Sequence, residues 1–424
     1  WCLYRMYLFV NELIGLNCVR YDCSTSRNHR TSSCDRNFSV FIKKIHQTIP
    51  FSRRFPTRNR IWMKISEVKQ ALSFDLVTLG NVCVDVIVGI ESFPINASKH
   101  QNLRHSVELS AGGSCNALIV ASRLGLNVAP LDYIGNDSMG EFITLSLESS
   151  QISTEYLISD RNRNTLNCVI LVDSFGNHTF IASNEQPTAH FDIKLASSNI
   201  IHTNCLLPSH QNAIANSKVL LIDGYALDEL SFETIHEALA ISALNSTRFW
   251  FDPQATTDHL VRTNPKLLDY LLSKANTLIL TQEEIKEFFK ASNESKVFEN
   301  LHSVSDFFEV YQDLHCVVVK CGALGCDAYL RSTESVIHVD GVQLKESEIK
   351  DTAGAGDSFL AGFMTGLLET TFTIYDSMQL ANAAGAASCM NSGTGMKLAT
   401  LNQIQNCAEF YRNPVLNQFL KRIE

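Results

Sequence analysis

Apolar and polar positions fall in regular blocks along most of this chain. From Phe74, "FDLVTLGNVCVDVIVGI" is an apolar run of strand length, a polar turn and a second such run. "SCNALIVASRLG" spaces small and apolar residues as a helix does and stops at Gly125, a residue suited to a helix C-terminus. "VAPLDYIG" is again strand-like, and "LNCVILVDSFGNHTFIAS" sets two β-rich runs around Ser174-Phe175-Gly176-Asn177, the pattern of a hairpin. Beyond that, strand and helix patterns alternate: "KVLLIDGY", "FETIHEALAISALN", "RFWFDP", "LLDYLLSKA", "NTLILT", "QEEIKEFFKA" and "CVVVKCG". Two helices, about 356–369 and 374–391, close the pattern. Such alternation predicts a mostly parallel sheet covered by helices on both faces. Extra strands at about 90–110 and 165–183 break the alternation and predict a small β-sheet that projects as a lid.

Residues 1–70 follow none of this. "CSTSRNHRTSSCDRNFSVFIKKIHQTIPFSRRFPTRNR" is rich in Ser and Arg and poor in acids. That is the composition of an organelle transit peptide, and also of a disordered tail. The folded domain is therefore expected over 74–424, with a plastid address first and mitochondrion or cytoplasm as alternatives.

Charge sharpens the division. Residues 1–60 hold eleven Lys/Arg against three Asp/Glu, a balance of +8, so a net charge of −9 leaves −17 on the rest. An acidic body argues against nucleic acid as a partner. No apolar stretch reaches the ~18 residues of a membrane span. The 13 cysteines lack paired CxxC motifs, and Cys316, Cys321 and Cys326, five apart on a strand-turn-strand pattern, read as reduced thiols rather than a metal site.

The candidate chemistry sits in "KDTAGAGDSFLAGFMTGLL", Lys350 to Leu368. Small residues before a helix leave backbone N–H groups unpaired, and these amides with the helix dipole favour an anion such as phosphate. An acid among them, Asp357, suits either a helix cap or a base that takes a proton from an attacking hydroxyl. GxxxxGK[ST], a GxGxxG after a strand, HExxH and GxSxG are all missing from the sequence.

A second stretch, "SAGGSCNALIVASRLGLNVAPLDYIGNDSMGEF", spans Ser110 to Phe142. Together with 350–368 it resembles the two signatures of the ribokinase-like (pfkB) carbohydrate kinases, over about 74–404. The resemblance implies a ribokinase-like three-layer α/β sandwich with a β lid, and ATP-dependent phosphorylation of a sugar or nucleoside hydroxyl. It implies that Asp357 is the catalytic base and that Gly354, Ala355 and Gly356 form the anion hole. By the same resemblance Asp85 binds acceptor hydroxyls, and Gly112, Gly113 and Asn116 line the acceptor pocket. "VVVKCGALGC" resembles the nucleotide loop, placing Gly322 and Gly325 against ATP, and "ANAAGAASCMNSGTG" puts Asn382 and Gly395 near the adenine. Glu284 matches an acid that meets Mg2+ through water, while Thr281 stands where the family has Asn. No Arg follows "FDPQATT" until Arg262, which disfavours a phosphorylated acceptor. A monovalent cation is a further cofactor expectation, and the assembly is expected to be a monomer or a lid-mediated homodimer. A nucleoside kinase and a catalytically weak regulator or scaffold of the same family are the alternatives.

Overall fold

The computed structural model describes residues 74–95, 98–174, 178–182, 206–293, 295–333 and 335–424. The 1–70 extension lies outside them. The chain begins with β1 (Phe74–Leu79), turns at Gly80-Asn81 and runs into β2 (Val82–Gly89). Then come β3 (Glu108–Gly113), α1 (Cys115–Arg123), β4 (Val128–Gly135), α2 (Ser138–Ser149), β5 (Leu157–Asp160), β6 (Leu166–Val172) and β7 (His178–Ala182). The alternating part holds α3 (Pro208–Ala215), β8 (Ser217–Asp223), α4 (Phe232–Asn245), β9 (Arg248–Asp252), α5 (Thr257–Thr263), α6 (Pro265–Lys274), β10 (Thr277–Thr281) and α7 (Gln282–Ala291). It ends with α8 (Asp306–Val310), β11 (Cys316–Lys320), β12 (Cys326–Leu330), β13 (Ile337–Val339), α9 (Ala355–Leu368), α10 (Ile374–Cys389), α11 (Leu401–Ala408) and α12 (Pro414–Ile423).

The main sheet has nine strands in the order β13-β12-β11-β10-β9-β8-β1-β4-β5. It is parallel from β11 to β5, with β12 and β13 antiparallel at one edge. Strand periodicity sends alternate residues to two cores. Leu76, Val219, Leu221, Trp250, Ile279 and Val318 face a cluster completed by α1, α9 and α10. Val77, Leu220, Ile222, Phe251, Leu278 and Val317 face the opposite one, completed by α4, α6 and α7. Both faces are thus dry, as apolar parallel strands require. Helix α9 is buried from Ser358 to Gly366, and it packs closely on α10: a Cβ at Gly362 would stand 2.9 Å from the Ala381 Cα.

The lid is a separate sheet in the order β3-β2-β6-β7, with β2 and β6 parallel and the other pairs antiparallel. Its first half corrects the sequence reading. The strands are 82–89 and 108–113, and the described residues between them form no strand. That connection carries Pro94, which lacks an N–H for a ladder, and the polar run "SKHQNLRHS" without strand alternation. The second half falls where expected, with β6 and β7 paired antiparallel, although residues 175–177 of the expected hairpin turn lie outside the described set.

Among the described residues no helix is long and apolar enough to cross a membrane.

Candidate active site

Order in the main sheet reverses at β1. The chain leaves it towards β4 on one side and returns as β8 on the other. A crevice opens outside the carboxyl ends of the strands at such a switch. Polar residues stand at four of those strand ends: Asn81 follows β1, Asp223 ends β8, Asp252 ends β9 and Lys320 ends β11.

These groups hold one another. Lys320 Nζ donates to Asp252 Oδ2 at 3.0 Å, with both side chains nearly enclosed. Burial pulls the Lys320 ammonium down, but Asp252 and Glu284 outweigh it and keep it above its ordinary range. Asn81 Nδ2 donates to both oxygens of Asp223, at 3.0 and 2.9 Å. The same turn is gripped along its backbone. Asn81 N donates to Glu229 Oε1, and Val82 N to Asp132 Oδ2 at 2.8 Å.

Glu284 sits on the first turn of α7 in a capping box. Its N–H donates to Thr281 Oγ1 at 3.1 Å, and its Oε2 accepts from the Thr281 N–H at 2.7 Å. Thr281 is therefore the cap of α7, a role that the TxxE spacing carried and the sequence reading passed over. Burial, and then Asp252, push the Glu284 carboxyl up to about 7.

Helix α9 delivers the expected acid. Gly354 caps it at φ 71°, in the left-handed region where a side chain is strained, and a Cβ there would lie 2.6 Å from Leu398 Cδ2. The Ala355 N–H already donates to Thr352 O at 3.2 Å, whereas those of Gly356 and Asp357 bond to none of the described residues. The available amides of the proposed anion hole are thus shifted one residue along from Gly354-Ala355-Gly356. Asp357 is gripped on both oxygens: Oδ1 accepts from Gln254 Nε2 and Oδ2 from Asn116 Nδ2, each at 3.0 Å. Burial, then Asp252 and Asp223, push its carboxyl up to about 7, against the pull of Asn116 and Lys320.

Asp85 projects from β2 on the lid. It is buried, its Oδ2 accepts from Thr394 Oγ1 at 2.6 Å, and burial raises its carboxyl to about 6. A Cβ on Gly112 would stand 2.2 Å from Asp85 Oδ1, so only glycine leaves that carboxylate room. Gly113 has φ 58° and would press a Cβ within 2.1 Å of Asn81 O. Asn116 joins the two halves, since its Oδ1 accepts from Gly395 N at 2.9 Å while its Nδ2 holds Asp357.

Gly395 therefore groups with Asn116, Ser110 and Ala111 rather than with Asn382, beside which the sequence placed it. A Cβ on it would meet Ser110 Oγ at 2.4 Å and Ala111 O at 2.5 Å. The loop after α10 folds back across β3 because Ser110 Oγ donates to Thr394 O and Thr394 reaches Asp85. Gly322, Gly325 and Asn382 lie apart from these, at the β11–β13 edge. Gly322 faces open space, Gly325 makes a left-handed turn tight against Val339 O, and Asn382 Nδ2 donates to Val339 O and Asp340 O at 3.2 Å each.

Among the described residues no three ligand-type side chains cluster as a ready metal site, and the eight described cysteines are free, Cys316, Cys321 and Cys326 included.

Comparison with known proteins agrees with this layout. The profile of the pfkB family of carbohydrate kinases matches residues 73–401. The chain belongs to that family. As a pfkB-family carbohydrate kinase it is a phosphotransferase with an alcohol group as acceptor. It is 27% identical over 324 residues to 5-dehydro-2-deoxygluconokinase 1 of Bacillus cereus, covering 75% of this kinase and 90% of that one. Its fold is that of an Arabidopsis thaliana ribokinase solved with ribose and ATP (TM-score 0.62, 17% identity, 80% and 99% covered). It is likewise that of a nucleoside kinase from Methanocaldococcus jannaschii (TM-score 0.58, 18% identity, 79% and 98% covered).

Proposed function

We propose that this kinase transfers the γ-phosphoryl group of ATP to a hydroxyl of an unphosphorylated sugar or small polyol held between Asp85 and Asp357. The observation that carries the reading is Asp357 itself: a carboxylate in the first turn of α9, beside amides with no partner among the described residues, and bracketed by two side-chain amides. A carboxylate raised to about 7 by burial is a usable base near neutral pH. In this reading Asp357 takes the acceptor proton as the acceptor oxygen attacks the γ-phosphorus and ADP departs. The Gly356 and Asp357 amides face the charge on the transferring group. Asp85 accepts hydrogen bonds from acceptor hydroxyls, which a carboxylate can do twice over. Arg262 supports an unphosphorylated acceptor, because it stands on α5 paired with Asp258 and exposed.

Magnesium fits the donors here. Asp252 and Glu284 flank the Lys320 ammonium with oxygen donors, and among the described residues no three ligand side chains form a cage to strip the ion of its waters. Glu284 is the residue that would hold it, through water. Bound there, it would neutralise charge on the phosphate oxygens. The 1–70 segment is proposed as an organelle address, plastid first; a reporter fused to it that stays cytosolic overturns that.

The test is a coupled ADP-release screen with ATP and magnesium over hexoses, pentoses, sugar phosphates, sugar acids and nucleosides. The expected result is turnover with an unphosphorylated sugar and none in Asp357→Asn. Turnover with a sugar phosphate or a nucleoside alone would overturn the acceptor assignment.

A further inference from the structure

Gln254 stands in "FDPQATT", outside the two signature stretches, yet it touches the Asp357 carboxylate. It follows Pro253 in the turn between β9 and α5 and has φ 52°, a left-handed conformation costly for a residue with a side chain. The turn is pinned in that shape. Gln254 N donates to Asp252 Oδ1 at 3.0 Å, Thr256 Oγ1 to Pro253 O at 2.6 Å, and Thr257 Oγ1 to Gln254 O at 2.9 Å. Gly224 presses on it so closely that a Cβ there would stand 1.9 Å from Pro253 O. From this fixed backbone the side-chain amide reaches Asp357 Oδ1 at 3.0 Å, opposite Asn116 on Oδ2.

Two amide donors on different elements fix both the direction and the plane of a carboxylate. Each oxygen keeps a second lone pair, so a hydroxyl can still deliver its proton. The surroundings make such donors necessary. Asp357 faces Asp223 on β8, Asp252 on β9 and Tyr225 after β8, against one cation, Lys320 on β11, which already holds Asp252 and faces Glu284. An amide favours the ionised carboxylate without adding a charge to the pocket.

We propose that Gln254 is a positioning residue for Asp357: with Asn116 it aims the carboxylate at the acceptor hydroxyl and holds it in the ionised form that takes the proton. This rests on the reading of Asp357 as the base, so Asp357→Asn is run beside it. The probe is whichever of D-ribose, D-fructose and D-glucose gives the fastest wild-type ADP release. Gln254→Ala and the near-isosteric Gln254→Glu are measured for kcat, both KM values, melting temperature and the pH profile of kcat/KM. The expected result for Gln254→Ala is a kcat about 100-fold lower, with the KM for ATP changed less than twofold, as a misaimed base produces. Its acid limb is expected about one pH unit higher, and higher again in Gln254→Glu, where a carboxylate faces a carboxylate. Loss of rate with an unmoved acid limb, or wild-type kinetics in a folded Gln254→Glu, overturns the proposal while leaving the base in place. More than half of wild-type turnover in Asp357→Asn overturns the reading of the base, and the positioning role with it.

Discussion

The main sheet and the lid treat polar groups in opposite ways. At the carboxyl edge of the main sheet Asp223, Asp252 and Glu284 are buried among apolar strands, and each is bonded to a neighbouring element or to its own helix cap. In the lid, β7 is exposed along its length, with Phe180 and Ile181 more than half exposed, while Asp85 on β2 is a buried acid bonded to Thr394. Burying charge is costly unless it is paired and hydrogen-bonded. A nine-stranded sheet covered on both faces can absorb that cost and hold its charges still. A four-stranded sheet with an open face is less able to do so, and in the proposed function it supplies recognition through Asp85. Phosphoryl transfer, in which positioning does most of the work, belongs on the stiffer element.

The sharpest way to break this contrast is on α9. Asp357→Asn is expected to lower kcat by ~10²–10⁴-fold and to leave ATP affinity by calorimetry unchanged. Next comes a matched pair of lysines. Lys320→Met strands Asp252 inside the sheet and is expected to cost ~3–5 kcal/mol in urea unfolding. Lys397→Met removes an exposed partner of Glu108 on the lid and should cost less than ~1 kcal/mol; equal losses would dissolve the distinction. Asp85→Ala is expected to raise the acceptor KM about tenfold or more, from charge-assisted bonds worth ~1.5–3 kcal/mol each, with the KM for ATP unmoved. An unchanged acceptor KM would leave Asp85 a structural residue of β2.

The smallest effect depends on pH. Asp357 is raised to about 7 in the folded chain, above the ~3.9 of an unfolded Asp. Between those values the folded state binds the extra proton, so stability falls as pH rises through that window. Asp357→Asn should therefore melt higher than wild type at pH 8 and at the same temperature at pH 4, by differential scanning fluorimetry. A wild-type advantage at pH 8 would reverse the sign of the argument.

Much of this was legible in the sequence because it is local. Helix α4 begins and ends where "FETIHEALAISALN" does, and α9 starts at Ala355, one residue ahead of its expected start. The lid boundaries were not, since the polar "SFPINASKHQNLRHSV" joins two strands that pair with each other, and β2 also pairs with the distant β6. The missed site residues share one signal. Asp223, Asp252 and Lys320 each end an apolar run ("LLID", "FWFD", "VVVK"), and only the strand order shows that those ends converge. Gln254 gave no signal, because its role depends on a left-handed turn that no pattern announces. The contacts of Gly395 were not legible because its partners, Ser110 and Asn116, are some 280 residues away in the chain.

The turn from Gly80 to Val82, gripped by carboxylates from β4, β8 and the segment before α4, is where the lid hangs from the central strand. So many bonds make it a pivot pin rather than a strap. Any swing of the lid turns about that pin, so displacement grows along β2, from almost none at Val82 to its largest at Gly89. Cys83, next to the pin, would barely travel, while the far rim could sweep wide enough to admit a sugar without disturbing the charges below.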